Sequence, residues 1–110
     1  MAYQPVGNAE PSREDVDRLP GTVLLEFGAG WCPHCQAIQP LLHELLDAKP
    51  QIQHLKIEDG KGKPLGRSFR VTLWPTLIFL QQGRAVTRLV RPSEAELREA
   101  FATSTNERDS

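Results

Sequence analysis

Cysteine is scarce in this chain: among 110 residues there are two, Cys32 and Cys35. That excludes the small secreted scaffolds in which several disulfides stand in for a core. Charge of one sign is also missing, since 13 Lys and Arg stand against 14 Asp and Glu for a net charge of -1. No electrostatic grip on nucleic acid is implied. The longest apolar runs, 23–25 and 77–80, are far too short to cross a bilayer. The N-terminus, MAYQPVGNAEPSRED, shows neither the basic nor the apolar region of a secretory signal, so a cytoplasmic location is expected. Internal repeats and low-complexity segments are absent as well.

What is present suits one compact domain. A chain of 110 residues, 39% hydrophobic and 25% charged, has enough apolar side chain to bury a core without cross-links. Residues 1–11 carry two prolines with little periodicity and read as a flexible arm, with a short edge strand around 3–6. Residues 12–102 form the domain, and the polar tail 103–110 reads as disordered. Ser12, followed by Glu14 and Asp15, starts a helix that Pro20-Gly21 ends after about two turns. Residues 22–27 (TVLLEF) form a near-continuous apolar strand of the kind buried on both faces, with Glu26 its one charge. From Pro33, the apolar positions Ile38, Leu41, Leu42, Leu45 and Leu46 predict a long amphipathic helix running to about Ala48, bent at Pro40.

A second strand is expected over 52–58, then a turn (DGKGKP) and a short helix ending near Phe69. Strands over 76–80 and 85–91 flank Gln82-Gly83 and read as an antiparallel hairpin. Ser93 and Glu96 fit a capping box that opens a last helix, presenting Leu97, Ala100 and Phe101 to the core. The order is that of an α/β domain with a mixed sheet of four to five strands flanked by helices. A right-handed crossover places Cys32 at the carboxyl end of the first strand, where such sheets carry their chemistry.

The cysteine pair admits three uses: a staple, half of a metal site, or a redox couple. Cysteines at i and i+3 in a first helical turn have Cβ atoms about 5 to 6 Å apart, close enough to bridge with little movement. So short a loop makes a weak staple, about 2 kcal/mol. A zinc site needs four ligands, and only His34, His43 and His54 are left to add, with no second cysteine pair. His43 and His54 read as ordinary helix-surface and strand residues. The redox couple is favoured because Cys32 lies at or next to a helix N-cap, where unpaired amides favour a thiolate. Cys32 is then the attacking sulfur, and Cys35, one turn further in and more buried, the resolving one. Pro33 suits the first helical position, and a protonated His34 adds positive charge that stabilises the reduced form.

At this point the sequence resembles the thioredoxin superfamily. The resemblance covers residues 22 to about 101: Glu26-Phe27 ending a strand, Ala29, Trp31-Cys32-x-x-Cys35, Pro40, Lys56, Trp74-Pro75-Thr76-Leu77, Gly83 and a final helix. It implies a thioredoxin fold and a thiol–disulfide oxidoreductase that passes through a mixed disulfide and needs no cofactor or metal beyond its own cysteines. It also implies that Pro75 is the family's cis-proline, facing the disulfide and letting the preceding backbone pair with a substrate strand. Trp31 and Trp74 border that substrate site. Glu26 matches the family's buried acidic residue; desolvation is expected to raise its pKa so that it relays a proton to or from Cys35. The alternative is a structural pairing of Glu26 with Lys56.

Departures from the family pattern narrow the reading. Pro-His between the cysteines resembles the oxidising bacterial periplasmic members, which carry a helical insertion for which this chain has no room. Gly28 replaces a common aromatic, leaving the loop 28–30 bare and mobile by expectation. Trp74 is larger than usual there, and is either a stacking surface or a core aromatic turned inward. The expected partners are protein thiols and disulfides, with a reductase or glutathione as electron donor, the chain acting as a monomer. Two other functions stay open: a peptide-binding module with incidental redox activity, and an exported oxidase or isomerase.

Overall fold

A strand whose every side chain meets another element must be apolar on both faces, and β1 (Thr22–Gly28) is such a strand. The computed structural model describes residues 10–106. In it β1 pairs in parallel with β2 (Gln53–Glu58) and antiparallel with β3 (Thr76–Gln81), and β3 pairs antiparallel with β4 (Arg84–Val90). The described sheet thus has four strands in the order β2-β1-β3-β4. The expected edge strand around 3–6 lies outside the described residues.

Alternation along β1 divides the core into two layers. Val23, Leu25 and Phe27 point to one face and pack with Leu55, Ile57, Ile78 and Leu80 beneath Val16 of α1 (Arg13–Asp17) and Leu65 of α4 (Pro64–Ser68). Leu24 points to the other, with Leu77 and Phe79, beneath Leu42 of α3 (Gln39–Asp47) and Leu97, Ala100 and Phe101 of α5 (Glu94–Asn106). Phe79 and Phe101 meet edge to face at 5.2 Å, a geometry worth about 1 kcal/mol beyond the area it buries. Glu26 follows Leu24 on this second face, so the strand's one charge is forced under α3.

The helix starts follow their caps. Ser12 Oγ accepts from the Asp15 amide at 3.0 Å, and Ser93 and Glu96 exchange both bonds of a capping box, at 2.8 and 3.1 Å. Gln82 and Gly83 turn the hairpin with φ of 51° and 82°, the left-handed pair that a two-residue turn of this hand requires. Gly83 also has no room for a side chain, since a Cβ there would overlap the Asp17 carbonyl.

Two expectations are corrected. The long helix from Pro33 is not bent but broken, into α2 (Pro33–Ala37) and α3, with Ile38 capping one and opening the other. Pro40 has no amide to give to the Gln36 carbonyl and its ring crowds that carbonyl, so the chain restarts with Leu42 donating to Ile38 at 2.9 Å. At the other end, the last helix runs past the expected boundary at 102 through Asn106. There Gln81 Nε2 donates to the Ser104 carbonyl at 2.7 Å, and buried Ser104 ties the turn to the sheet.

Candidate active site

Cys32 is the N-cap of α2, as the sequence implied: its Sγ accepts from the Cys35 amide at 3.2 Å. Such a bond strengthens when the acceptor is an anion. Pro33 fills the first helical position, where an amide would have had no partner. Both cysteines are free thiols. Cys35 is not the more buried of the two, because Cys32 is 4% and Cys35 5% exposed. Ala29 and Trp74 pack with the pair. Burial, the Cys32 contact and the Glu26 charge push the Cys35 thiol up to about 11.

Gly28 has a use that its bareness did not suggest. It ends β1, and a Cβ there would stand 2.7 Å from Cys35 Sγ, so the missing side chain is the space the resolving sulfur occupies. The Gly28 carbonyl accepts from the Asp59 amide at 2.8 Å, which anchors this corner of the loop.

Glu26 is 2% exposed and fully engaged. Oε1 lies 2.7 Å from His54 Nε2, which must be the donor to a carboxylate, and Oε2 accepts from Gln39 Nε2 at 2.7 Å. Gln39 Nε2 also donates to the Cys35 carbonyl at 2.9 Å, joining the acid to the second cysteine's turn. The expected rise in the Glu26 pKa is overturned. Burial does push the carboxyl up, but the bonds from His54 and Gln39, with the charges of His54 and Lys56, hold it below 4.5. Lys56 is not its direct partner; Nζ donates to Gln39 Oε1 at 3.2 Å and is felt at Glu26 through space.

His54 is more than the plain strand residue expected. In the parallel register it pairs with Leu24 while Lys56 pairs with Glu26, so His54 lies one step down the same sheet face, 3% exposed, and reaches back to the acid. Nothing in the local sequence marks this contact, because it spans 28 residues and exists only once β1 and β2 are in register.

The bond between Trp74 and Pro75 is cis, as the resemblance implied, and Pro75 is buried. Trp74 is neither a free stacking surface nor a core aromatic. Its ring meets Trp31 edge-on at 5.5 Å, it packs on the cysteine cluster, and its Nε1 donates to Asp59 Oδ2 at 2.8 Å. Trp31 is 71% exposed and forms the outer wall. Arg91, unremarked in the sequence, fixes this corner: Nε donates to the Trp74 carbonyl at 2.8 Å and its amide to the Pro75 carbonyl at 2.9 Å. His34 is exposed, on the solvent side of α2. Among the described residues no group of three or more His, Cys, Asp or Glu could hold a metal ion.

A family model, Thioredoxin, matches residues 8–103 of the sequence. The chain belongs to the thioredoxin family. It is 30% identical to Thioredoxin H-type of Ricinus communis over 82 residues, covering 74% of this chain and 70% of that protein. To Putative thioredoxin-4 of Dictyostelium discoideum it is 32% identical over 76 residues, covering 69% and 73%. Among solved structures, thioredoxin 2 from Pseudomonas aeruginosa in its reduced form superposes with a TM-score of 0.81 at 53% identity, covering 92% of this chain and 94% of that one. The mixed sheet with its flanking helices is therefore a thioredoxin fold, and the chain is a thiol–disulfide oxidoreductase whose redox group is its own cysteine pair. Among the described residues no helix is long and apolar enough to cross a membrane.

Proposed function

We propose that Cys32 attacks and Cys35 resolves, with the Glu26 charge acting on Cys35, and that the protein reduces or exchanges protein disulfides in the cytoplasm as a monomer. The hydrogen bond that the Cys35 amide donates to Cys32 Sγ carries the assignment, because it supports an anion at Cys32 while Cys35 is held as a thiol. The Cys32 thiolate attacks one sulfur of a substrate disulfide; that S–S bond breaks, one substrate thiolate leaves and a mixed disulfide forms. Cys32 is then no longer an anion, which removes both influences by which it raised the Cys35 pKa. Cys35 gives its proton to the departing substrate thiolate and attacks Cys32 Sγ, the Glu26 charge being felt at the Cys35 sulfur through space. The second substrate thiolate leaves, and two electrons have passed to the substrate as Cys32 and Cys35 join.

A dithiol of this kind in a cytoplasm poised by glutathione is kept reduced, so net flow runs to substrate disulfides, with a reductase or glutathione restoring the dithiol. Trp31, Trp74 and Pro75 frame the substrate's approach, and exposed His34 tunes the pair weakly through solvent. The test is a trap. Cys35→Ser should accumulate a mixed disulfide with a protein substrate, mapped to Cys32 by mass spectrometry, and Cys32→Ser should accumulate none. Trapping by Cys32→Ser at equal yield would overturn the assignment.

A further inference from the structure

A cavity of about 490 Å³ opens beside the active site, and its walls are unusually cationic for a chain of net charge -1. Lys61, Lys63, Arg67 and Arg70 line it with Asp59 and Trp74. None of the four basic side chains has an ion-pair or hydrogen-bond partner among the described residues. The single carboxylate is already occupied, accepting from Trp74 Nε1 at 2.8 Å. Three of the cations are exposed and Lys63 is half-buried, so they are hydrated and reachable from solvent.

The fold fixes this charge in place. Lys61 and Lys63 sit in the turn between β2 and α4, Arg67 is on α4, and Arg70 follows it with φ of 59°, its carbonyl held by Arg88 at 2.9 Å. Gly66 lets α4 close on Asp59, since a Cβ there would overlap that carboxylate. The same Trp74 that walls the cavity packs on the cysteine cluster. A substrate segment that lies along Trp74 therefore borders both the cysteine cluster and the cavity.

We infer that this cavity is a docking groove for an acidic segment of the protein substrate, rich in Asp or Glu and lying close in sequence to the disulfide being exchanged. The inference rests on the exchange reading above and names which substrates it favours. Charge complementarity is local: in a near-neutral chain, a basic groove that shares Trp74 with the cysteine cluster selects acidic flanks. Each exposed pair contributes little alone, but several acting together with steering raise the association rate.

The test uses the full chain, reduced beforehand, and two peptides that share one intramolecular disulfide, flanked on both sides by runs of Glu in one and Gln in the other. The second-order rate constant of reduction is read by mass and by tryptophan fluorescence. At low ionic strength the Glu peptide should be reduced about tenfold faster, the ratio falling to about twofold at about 0.5 M salt. The double substitution Lys61→Glu with Arg67→Glu should bring the ratio to one or below. A ratio near one at low salt in the unaltered protein, with the Gln peptide reduced, would overturn the inference and leave the exchange reading standing. Reduction of neither peptide would overturn both. A DNA oligonucleotide that inhibits more strongly than a Glu-rich peptide of equal charge would also overturn it.

Discussion

Replacing His54 by Leu tests whether the buried acid is governed by its cross-strand partner. The two side chains have similar volume, so little cavity opens, and what is lost is the 2.7 Å bond to Glu26. Glu26 faces His54 and Lys56 on β2, Gln39 on α3 and Cys35 on α2. Without His54, burial, the largest single influence on the carboxyl, is opposed only by Gln39 and Lys56, and the carboxyl pKa moves up. Removing one partner from a buried polar pair costs about 1 to 3 kcal/mol for a neutral bond and more for an ionic one, which sets an expectation of about 3 kcal/mol at pH 7.

The sign with pH follows from the direction of the shift. A carboxyl held below 4.5 in the folded protein adds stability above its unfolded pKa, and that stability is lost as pH falls through the folded pKa. The variant lacks that contribution, so the gap between the two proteins should be full well above the ordinary carboxylate range and shrink as pH falls through it. Urea unfolding across this range, with unchanged slope m, measures the gap. A gap that is independent of pH, or below about 0.5 kcal/mol at pH 7, would refute the argument, and His54→Gln, which keeps a donor, should recover part of the loss.

Four further outcomes are expected. Gly28→Ala drives a Cβ to within 2.7 Å of Cys35 Sγ, so it should cost about 1 to 3 kcal/mol in urea unfolding and slow closure of the disulfide, read by quenched-flow alkylation. Alkylation of Cys35 in the reduced protein should rise with pH towards about 11; in Cys32→Ser the midpoint should fall, because the neighbouring sulfur's contribution is gone, yet stay above 9.0 through burial. Trp74→Phe keeps an aromatic against Trp31 but loses the bond to Asp59, and should cost about 1 kcal/mol in thermal unfolding. His34→Ala should make the reduction potential more negative by less than about 30 mV, since the exposed imidazole is screened by solvent.

The parts of this protein that could be read from its sequence are those written in local pattern. TVLLEF is apolar at four of its six positions with a single charge, and it became the central strand; Ser12 and Ser93 stand where caps must, and both cap. The cysteine pair declared itself because two cysteines at i and i+3 after such a strand can only meet at a helix start. Pro40 was legible as a disturbance but not in degree, since bend or break depends on how α2 and α3 each pack. The surroundings of the cysteines were the least legible. His54, Gln39, Asp59 and Arg91 reach the site across 13 to 28 residues. Their partners are chosen by strand register and by the side of the sheet on which each falls, which no short window contains. The Glu26 pKa followed the same logic: burial was foreseeable from its strand, and the bonds that outweigh burial were not.

The central claim, a reversible Cys32/Cys35 couple that acts on other proteins, is tested most directly by its reduction potential. Equilibration in glutathione buffers, with Trp31 fluorescence and mass reporting the oxidation state, should give one two-electron transition. The predicted value lies less negative than the thioredoxin figure of about −270 mV, by less than about 30 mV, because exposed His34 favours the reduced form only weakly. A pair that stays as two thiols in every buffer would contradict the account outright.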